Sequence, residues 1–600
     1  MQGQRRGGMA LVVGAAVILF AGVGAMAEGD AAPARDVFSD TWAATDALGR
    51  HVAMADTARP YSPGRYVCMF YFLWLGPHAN GGPWDVTRIL RMDPGAMNKP
   101  DSPLWGPLHA PHHWGEALFG YYLTDDPWVL RKHAQMLADA GVDAIVFDTS
   151  NRVTYKQQYT ALLEAFHAVQ QAGNRVPQIA FLTPFGDPKT TVREIYDDLY
   201  SKGIHKDLWF QWEGKPLILA NKEQVEPELH DFFTFRWPQP DYFMGPIAPD
   251  MWSWLEVYPQ HVFRNSKGEK EQMSVGVAQN AVTDERGLRL GTMSEPTSRG
   301  RSFHDGRDDT RPDAVLHGYN FAEQWERALR EDPRTVFVTG WNEWIAGRFQ
   351  EFNDKKLPVM FVDTFDQENS RDIEPMKGGH GDNYYYQLVD YVRKYKGVRP
   401  LPVASAPKTI DLDAGFGAWE DVAPEYRDGI GDVFPRDHPG YNTATRYVNN
   451  TGRNDIVLAK VARDAVNLYF YAKTRDPLSP STDPDWMVLF IDSDNNPATG
   501  WQGFDFAVNR QIKDAKTSVI ERTRNGWNWQ PAGEAQLRVA GNEVMLIASR
   551  ASLGLPEGEA PLRLSFKWAD NFQMPDDTDA FLLNGDAAPN ARFRYVYRTE

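Results

Sequence analysis

From Tyr66 onward, short apolar runs alternate with stretches whose apolar residues fall at helical spacing. Residues 67–74 form a β-rich run. Residues 127–140 carry Val129, Leu130, His133, Met136, Leu137 and Ala140 at helical intervals and stop at Gly141, which predicts a helix ended by a glycine. The cycle continues with predicted strands at 143–148, 178–182, 216–220, 242–245, 274–278 and 335–339, and predicted helices at 159–171, 191–202 and 321–330. Such alternation implies a parallel sheet with crossover helices, and about eight units fit a (β/α)8 barrel over 61–397 better than an open sheet.

The texture changes after Gly397. Residues 398–408 (VRPLPVASAPK) hold three prolines and no periodicity, which marks a linker. Beyond it, β-rich runs at 456–461, 466–473, 486–492, 504–508, 543–549 and 562–568 are separated by turn clusters without helical interludes. The expectation is a β-sandwich over 409–600.

Charge removes some functions. Lys and Arg total 63 against 80 Asp and Glu, and the resulting −17 repels phosphate backbones and anionic membrane surfaces. Nucleic acid is excluded as a partner on that ground. Twenty Trp suit stacking on sugar faces as well as filling a core. The single cysteine, Cys68, rules out intramolecular disulfides and thiolate metal clusters. At the N-terminus Arg5 and Arg6, an apolar run over 9–23 and Ala25-Met26-Ala27 have the pattern of a cleavable export signal over 1–27, followed by a lead-in over 28–60. No later run reaches the 18 or so apolar residues that a span requires, so a periplasmic or secreted protein without a membrane span is expected.

Chemistry concentrates in residues 335–349, TVFVTGWNEWIAGRF. An apolar strand runs into Trp341-Asn342-Glu343-Trp344, and in a (β/α)8 barrel the C-terminal strand ends face the active site. A carboxylate held there between indoles can have its pKa raised toward general-acid duty. The bland reading is a structural Glu bonded to nearby backbone. Asp148 ends another predicted strand and should reach the same mouth, unless it only caps the following segment.

WNEW, with Ala346-Gly347 after it and Ile373-Glu374-Pro375 further on, resembles the WNEW-x-EG…(L/I)EP signature of the glycoside hydrolase family 99-like group, which includes endo-α-mannosidases. His133-Ala134-Gln135-Met136 through Ala140-Gly141-Val142-Asp143 is similar to that group's first helix and second strand. The resemblance covers roughly residues 60 to 400 and implies a (β/α)8 barrel acting on glycosidic bonds. It implies Glu343 as the first of two carboxylates three residues apart, and Glu374 as the glutamate of the EP element. Where the family has its second catalytic Glu, this chain has Ala346, and about 25 residues are inserted before Ile373. Glycoside hydrolysis normally uses an acid and a second carboxylate, so the partner must come from elsewhere or the domain does not hydrolyse.

The inserted stretch offers Asp363, Glu368, Asp372 and Glu374 with Arg371 and His380 beside them. The glycine-rich loop 378–383 brings Asp382 and Asn383 to the start of a predicted helix at 384–394, which begins with Tyr384. All are read as lining. On the opposite flank Trp74, His112, His113 and Trp114 fit sugar contacts better than a metal site, because adjacent residues of an extended stretch point to opposite sides. Trp254, in a loop after the run at 242–245, is a subsite wall or part of a local apolar cluster.

Residues 410–600 resemble family 9-like carbohydrate-binding modules through Asp492-Ser493-Asp494-Asn495-Asn496-Pro497, Thr499-Gly500-Trp501 and Phe504-Asp505-Phe506. Clustered hard oxygens make Ca²⁺ conceivable, but the loop lacks the glycine and distal glutamate of an EF-hand, and a polar hairpin turn fits better. Trp419, Trp501, Trp527, Trp529 and Trp568 are stacking or core residues. No redox or nucleotide cofactor is expected, since no phosphate-binding glycine motif occurs. The leading expectation is an exported glycoside hydrolase with Glu343 and either Asp148 or an acid of 363–374. The alternatives are a glycan-binding protein on a degenerate barrel, for which Ala346 speaks, and a polysaccharide lyase using His380 or Tyr384–Tyr386 with Arg371.

Overall fold

Alternation along the first strand sets the architecture. In β1 (Tyr66–Tyr71) Cys68 and Phe70, followed by Phe72, enter one apolar cluster while Val67, Met69 and Tyr71 enter another, so both faces of the strand are covered. The same period recurs in β2 (Ala144–Asp148), where Ala144 and Val146 share the cluster of Phe70, and Ile145 and Phe147 face the other way. A computed structural model describes residues 34–76, 81–352, 355–442 and 444–600. The predicted export signal lies outside the described residues.

β3 (Gln178–Leu182), β4 (Lys215–Leu219), β5 (Thr234–Gln239), β6 (Met251–Ser253), β7 (Lys270–Gly276) and β8 (Thr335–Thr339) continue the sheet, which the short strands Gln211–Trp212 and Phe263–Arg264 join in antiparallel pairing with β4 and β7. β1 to β6 pair in parallel in chain order, and β7 pairs β8, which pairs β1. The ring is nearly closed. Between β6 and β7 the Gln272 side chain takes the place of a ladder, accepting from Ser253 N at 3.0 Å and donating to Ser253 O at 2.8 Å.

The expected (β/α)8 architecture is therefore met only in part: the sheet is barrel-like and nearly closed rather than a closed ring of eight, and the helices are incomplete. α1 (Pro127–Asp139), α2 (Lys156–Gln171), α3 (Lys189–Ile195), α4 (Tyr319–Glu331) and α5 (Asn383–Lys396) follow β1, β2, β3, β7 and β8. Among the described residues no α-helix follows β4, β5 or β6; short 3₁₀ turns and extended chain stand there instead. Nor is 242–245 a strand. β5 and β6 occupy that part of the barrel, and Met251–Ser253, expected in a loop, is strand. The sequence Thr-Phe-Arg-Trp-Pro-Gln hid β5 because Arg236 is buried within it. Glu271 neutralises that guanidinium through contacts of 2.6 and 2.7 Å, and also accepts from Trp252 Nε1 at 2.8 Å and Trp212 Nε1 at 3.1 Å.

After β8 the chain makes an antiparallel hairpin, β9 (Ile345–Phe352) and β10 (Lys355–Phe361), and β9 also pairs with the strand Pro111–His113. The C-terminal region departs from a two-layer sandwich. Among the described residues eleven of its antiparallel strands form one continuous sheet, with Arg436–Pro439 and Arg446–Asn449 paired separately, and Ile456 N donates to Asp586 Oδ2 at 2.5 Å across the curl between Ile456–Arg463 and Asp586–Ala588. Register shifts between Val508 and Asp514, and between Ile520 and Glu521, let the long strands Phe506–Asp514 and Gln530–Ala540 bend into this barrel-like form. Buried Arg436 ties the sheet region to the start of α1, its Nε donating to Asp126 Oδ2 at 2.8 Å.

Candidate active site

Parity along β2 decides where its last residue points: Ala144 and Val146 face the barrel interior, so Asp148 does too, at the C-terminal mouth. It is half-buried and accepts from Ser150 N at 2.9 Å. Burial pushes its pKa up, and the negative charge of Asp363 adds to that.

Glu343 reaches the mouth by a different route. Past β8 the chain still zips along β1: Trp341 N donates to Phe70 O at 2.9 Å, and the Asn342 side chain accepts from Phe72 N at 2.9 Å and donates to Phe72 O at 3.2 Å. Glu343 is thereby fixed one residue beyond the sheet. Its backbone N–H is held by Asp372 Oδ1, and Arg371 Nη2 donates to its Oε2 at 2.5 Å. Both members of this pair are buried, at 3% and 1% side-chain exposure. Burial raises the Glu343 pKa well above the usual carboxylate range against the opposing pull of Arg371, and Asp363 and Asp372 push the same way as burial. Arg371 also donates to Asn280 Oδ1 and lies 5.7 Å from the Trp254 ring.

The third carboxylate at the mouth is Asp363, delivered just past β10. It is half-buried and raised by burial, with Arg371 as the opposing charge. Tyr242 completes the group: the charges of Arg371, Asp363, Glu343 and Asp148 all act on its hydroxyl, and its ring meets Trp254 edge-on at 5.4 Å. Phe70, Phe72 and Trp74 continue the aromatic lining, with Trp74 stacked on Phe72 at 5.6 Å.

The hairpin explains Ala346. Its side chain sits in a buried cluster with Val86, Ile89, Trp105, Val359 and Phe361, and it pairs with His112 across the sheet. A carboxylate at 346 would be buried in apolar surroundings, whereas the same hairpin carries Asp363 to the mouth.

Several residues expected at the mouth stand in its supporting wall instead. Glu374 is fully buried and its oxygens accept from Trp344 Nε1 at 2.5 Å and Tyr122 Oη at 2.7 Å and meet His133 Nε2 at 2.9 Å. Trp341 packs against His133, and Trp344 stacks on Trp114 at 4.6 Å. Trp114 Nε1 in turn donates to Asp372 Oδ2 at 2.6 Å, and burial lifts Asp372 to about 6. His112 is enclosed by Trp84, Trp105 and Phe361; burial pushes its pKa down to about 4, so it is neutral at pH 7. His113 packs edge-on against Tyr121 and Tyr441. Glu368 accepts from Ser302 N and Oγ, both at 2.7 Å.

The glycine-rich loop is likewise engaged inward. His380 is buried against Tyr384, and burial drives its pKa well down. Asp382 accepts from Arg592 at 2.5 Å, Asn383 donates to Leu316 O at 3.4 Å, and Tyr384 Oη donates to Val315 O at 2.7 Å. In the C-terminal sheet Trp419 is buried on Tyr471, and Trp501 is buried with its Nε1 on Asp576 at 2.8 Å. Trp527 is half-buried, with Arg510 5.0 Å from its ring. Asp492, Asp494 and Asp505 come within 4.8 Å of one another, and Arg594 already pairs with Asp492 at 2.9 Å.

Three neighbours of the site were not read from the sequence. Asn280 lies just beyond β7, where the strand-end rule would have found it. Arg301, which donates to Asp372 O at 2.8 Å and Ser370 Oγ at 3.1 Å, sits in irregular chain that carries no such signal, and Tyr242 opens the run at 242–245 that is irregular chain rather than the expected strand.

No family model and no curated protein matches the chain. Among solved structures it is similar to a GH99 endo-alpha-mannosidase from Bacteroides thetaiotaomicron, at 16% identity over 55% of this chain and 97% of that one, with a TM-score of 0.33. A second structure of that enzyme gives 15% identity over 55% and 97%, with a TM-score of 0.32. A chain described as a glycoside hydrolase-like protein gives 11% over 57% and 96%, with a TM-score of 0.28.

Proposed function

We propose that the protein is a glycoside hydrolase acting on a polysaccharide or complex glycan at the mouth of the barrel-like sheet. One observation carries this reading: Glu343, Asp148 and Asp363 share a single buried guanidinium, Arg371, between aromatic walls. One fixed positive charge among three carboxylates favours a state in which one of them keeps its proton, the state that a general acid and an ionised partner require. Glu343, raised well above the carboxylate range by burial even against Arg371, is suited to hold that proton as the general acid. Asp148 and Asp363 are the candidates for the ionised partner, as base, nucleophile or cation stabiliser. Trp74, Trp254 and Tyr242 offer faces to a sugar ring. The chemistry proposed needs no redox or nucleotide cofactor.

Export to the periplasm or medium, and glycan binding by the C-terminal sheet through Trp527, belong to the same proposal. Among the described residues no helix is long and apolar enough to cross a membrane. The lyase alternative has lost its expected bases, since His380 and Tyr384 bond within the wall.

The test is reducing-sugar release from neutral and acidic polysaccharides by wild type, Glu343→Gln, Asp148→Asn and Asp363→Asn, with binding measured in parallel. Cleavage of one glycan by wild type, abolished in Glu343→Gln with binding retained, supports the hydrolase. A glycan bound but never cleaved by wild type replaces it with the binding-protein reading.

A further inference from the structure

Where α1 meets the C-terminal sheet, Asp428, Asp432 and Asp586 bring carboxylate oxygens within 4.8 Å of one another. Crowded acids alone mean little, but the hydrogen bonding here is incomplete. Asp428 is wholly buried, and neither of its carboxylate oxygens has a donor. Oδ1 of Asp432 is also without one, although its Oδ2 accepts from Gln135 of α1 at 2.8 Å and from Asn590 at 3.3 Å. The adjoining Asp455, 3% exposed, likewise has an unpartnered Oδ1, while its Oδ2 takes Gly431 N at 2.8 Å. A wholly buried carboxylate without donors is destabilising unless something else meets its charge.

The charges of Lys567 and Arg35 act on Asp428 and that of Lys132 on Asp586, but among the described residues none of these cations donates to the three carboxylates. Lys567 donates to Pro589 O, Arg35 to the backbone carbonyls of Asp428 and Val457, and Arg475 divides between Asp455 and Asp476. Lys132 lies 5.6 Å from the Trp128 ring. Asp586 is oriented by Ile456 N and Ala587 N, both donating to its carboxylate, which leaves further lone pairs for a ligand.

We propose that Asp428, Asp432 and Asp586 bind one hard divalent cation of the Ca²⁺ class, joining α1 to the C-terminal sheet through Gln135 and Asp432. An all-oxygen donor set selects such an ion over zinc or copper. Oxygens each about 2.4 Å from one ion can be at most about 4.8 Å apart, as these are.

The experiment strips the full-length protein with EDTA, restores Ca²⁺, and measures bound ion by elemental analysis alongside Tm. Asp494→Asn serves as a control in the separate Asp492, Asp494 and Asp505 group. Wild type should gain Tm with Ca²⁺, Asp494→Asn should still hold at least one ion, and Asp428→Asn should hold one fewer than wild type and lose the corresponding part of the Tm gain. A wild type that binds no Ca²⁺, an Asp494→Asn protein emptied of it, or an Asp428→Asn protein with an unchanged ion count overturns the proposal. If Asp428→Asn does not fold, the ion count of Asp494→Asn decides alone.

Discussion

Arg371 donates to Glu343 at 2.5 Å, and both side chains are almost completely withdrawn from water. The pair is held from behind: Asp372 fixes the Glu343 backbone, Trp114 fixes Asp372, and Arg301 fixes the carbonyl of Asp372. A carboxylate so constrained has little freedom to reorganise, which is what electrostatic preorganisation of a reacting group requires.

Glu343→Gln keeps the size of the side chain and removes its transferable proton. On whichever glycan the wild type cleaves, turnover should fall by about 10² to 10⁴-fold while binding changes little. Steady-state kinetics beside a binding isotherm measure both, and an unaffected turnover would remove Glu343 from the chemistry.

Arg371→Gln should move the pH dependence. Arg371 opposes the upward push of burial on Glu343, Asp148 and Asp363. Without it all three titrate at higher pH, so the acidic limb of the pH–rate profile, where an essential carboxylate becomes protonated, should shift toward alkaline pH. A profile with its acidic limb unmoved contradicts that assignment.

Ala346→Glu restores the residue type that the resemblance implies at this position. Because Ala346 packs among Trp105, Val359 and Phe361, the new carboxylate would be buried without a partner. The expected result is a loss of about 3 kcal/mol or more in urea unfolding and no gain in activity. A stable variant with raised turnover would show that position 346 can reach the substrate after all.

Glu374→Ala should act on stability before chemistry. The change strands Tyr122, Trp344 and His133, which all address that carboxylate in a buried setting. A cost of about 3 kcal/mol is expected, read as a lowered urea midpoint. A variant that unfolds normally but has lost only turnover would return Glu374 to the reacting groups.

Strong local periodicity made much of the barrel-like sheet legible. Residues 178–182 and 335–339 are strands at the boundaries the pattern predicts, and α1, α2 and α4 fall within a few residues of theirs. Local pattern is silent where burial contradicts composition. Arg236 looks like a surface residue until Glu271 is placed against it, so β5 could not be found from its own residues. The continuous C-terminal sheet was missed for a related reason: its long strands carry polar and glycine positions, and only partners distant in sequence show that they are paired.

The sequence by itself determined the strand-end positions of Glu343 and Asp148, because side-chain alternation and the end of an apolar run are local properties. It could not choose among Asp363, Glu368, Asp372 and Glu374, which lie within twelve residues of one another and look alike along the chain. The tertiary structure separated them: the β9–β10 hairpin carries Asp363 to the mouth, while Ser302, Trp114 and the Tyr122, Trp344 and His133 trio hold the other three in the wall. The reason is physical. Whether a carboxylate is free to react or is bound as structure depends on which donors surround it, and those donors come from parts of the chain up to some 260 residues away.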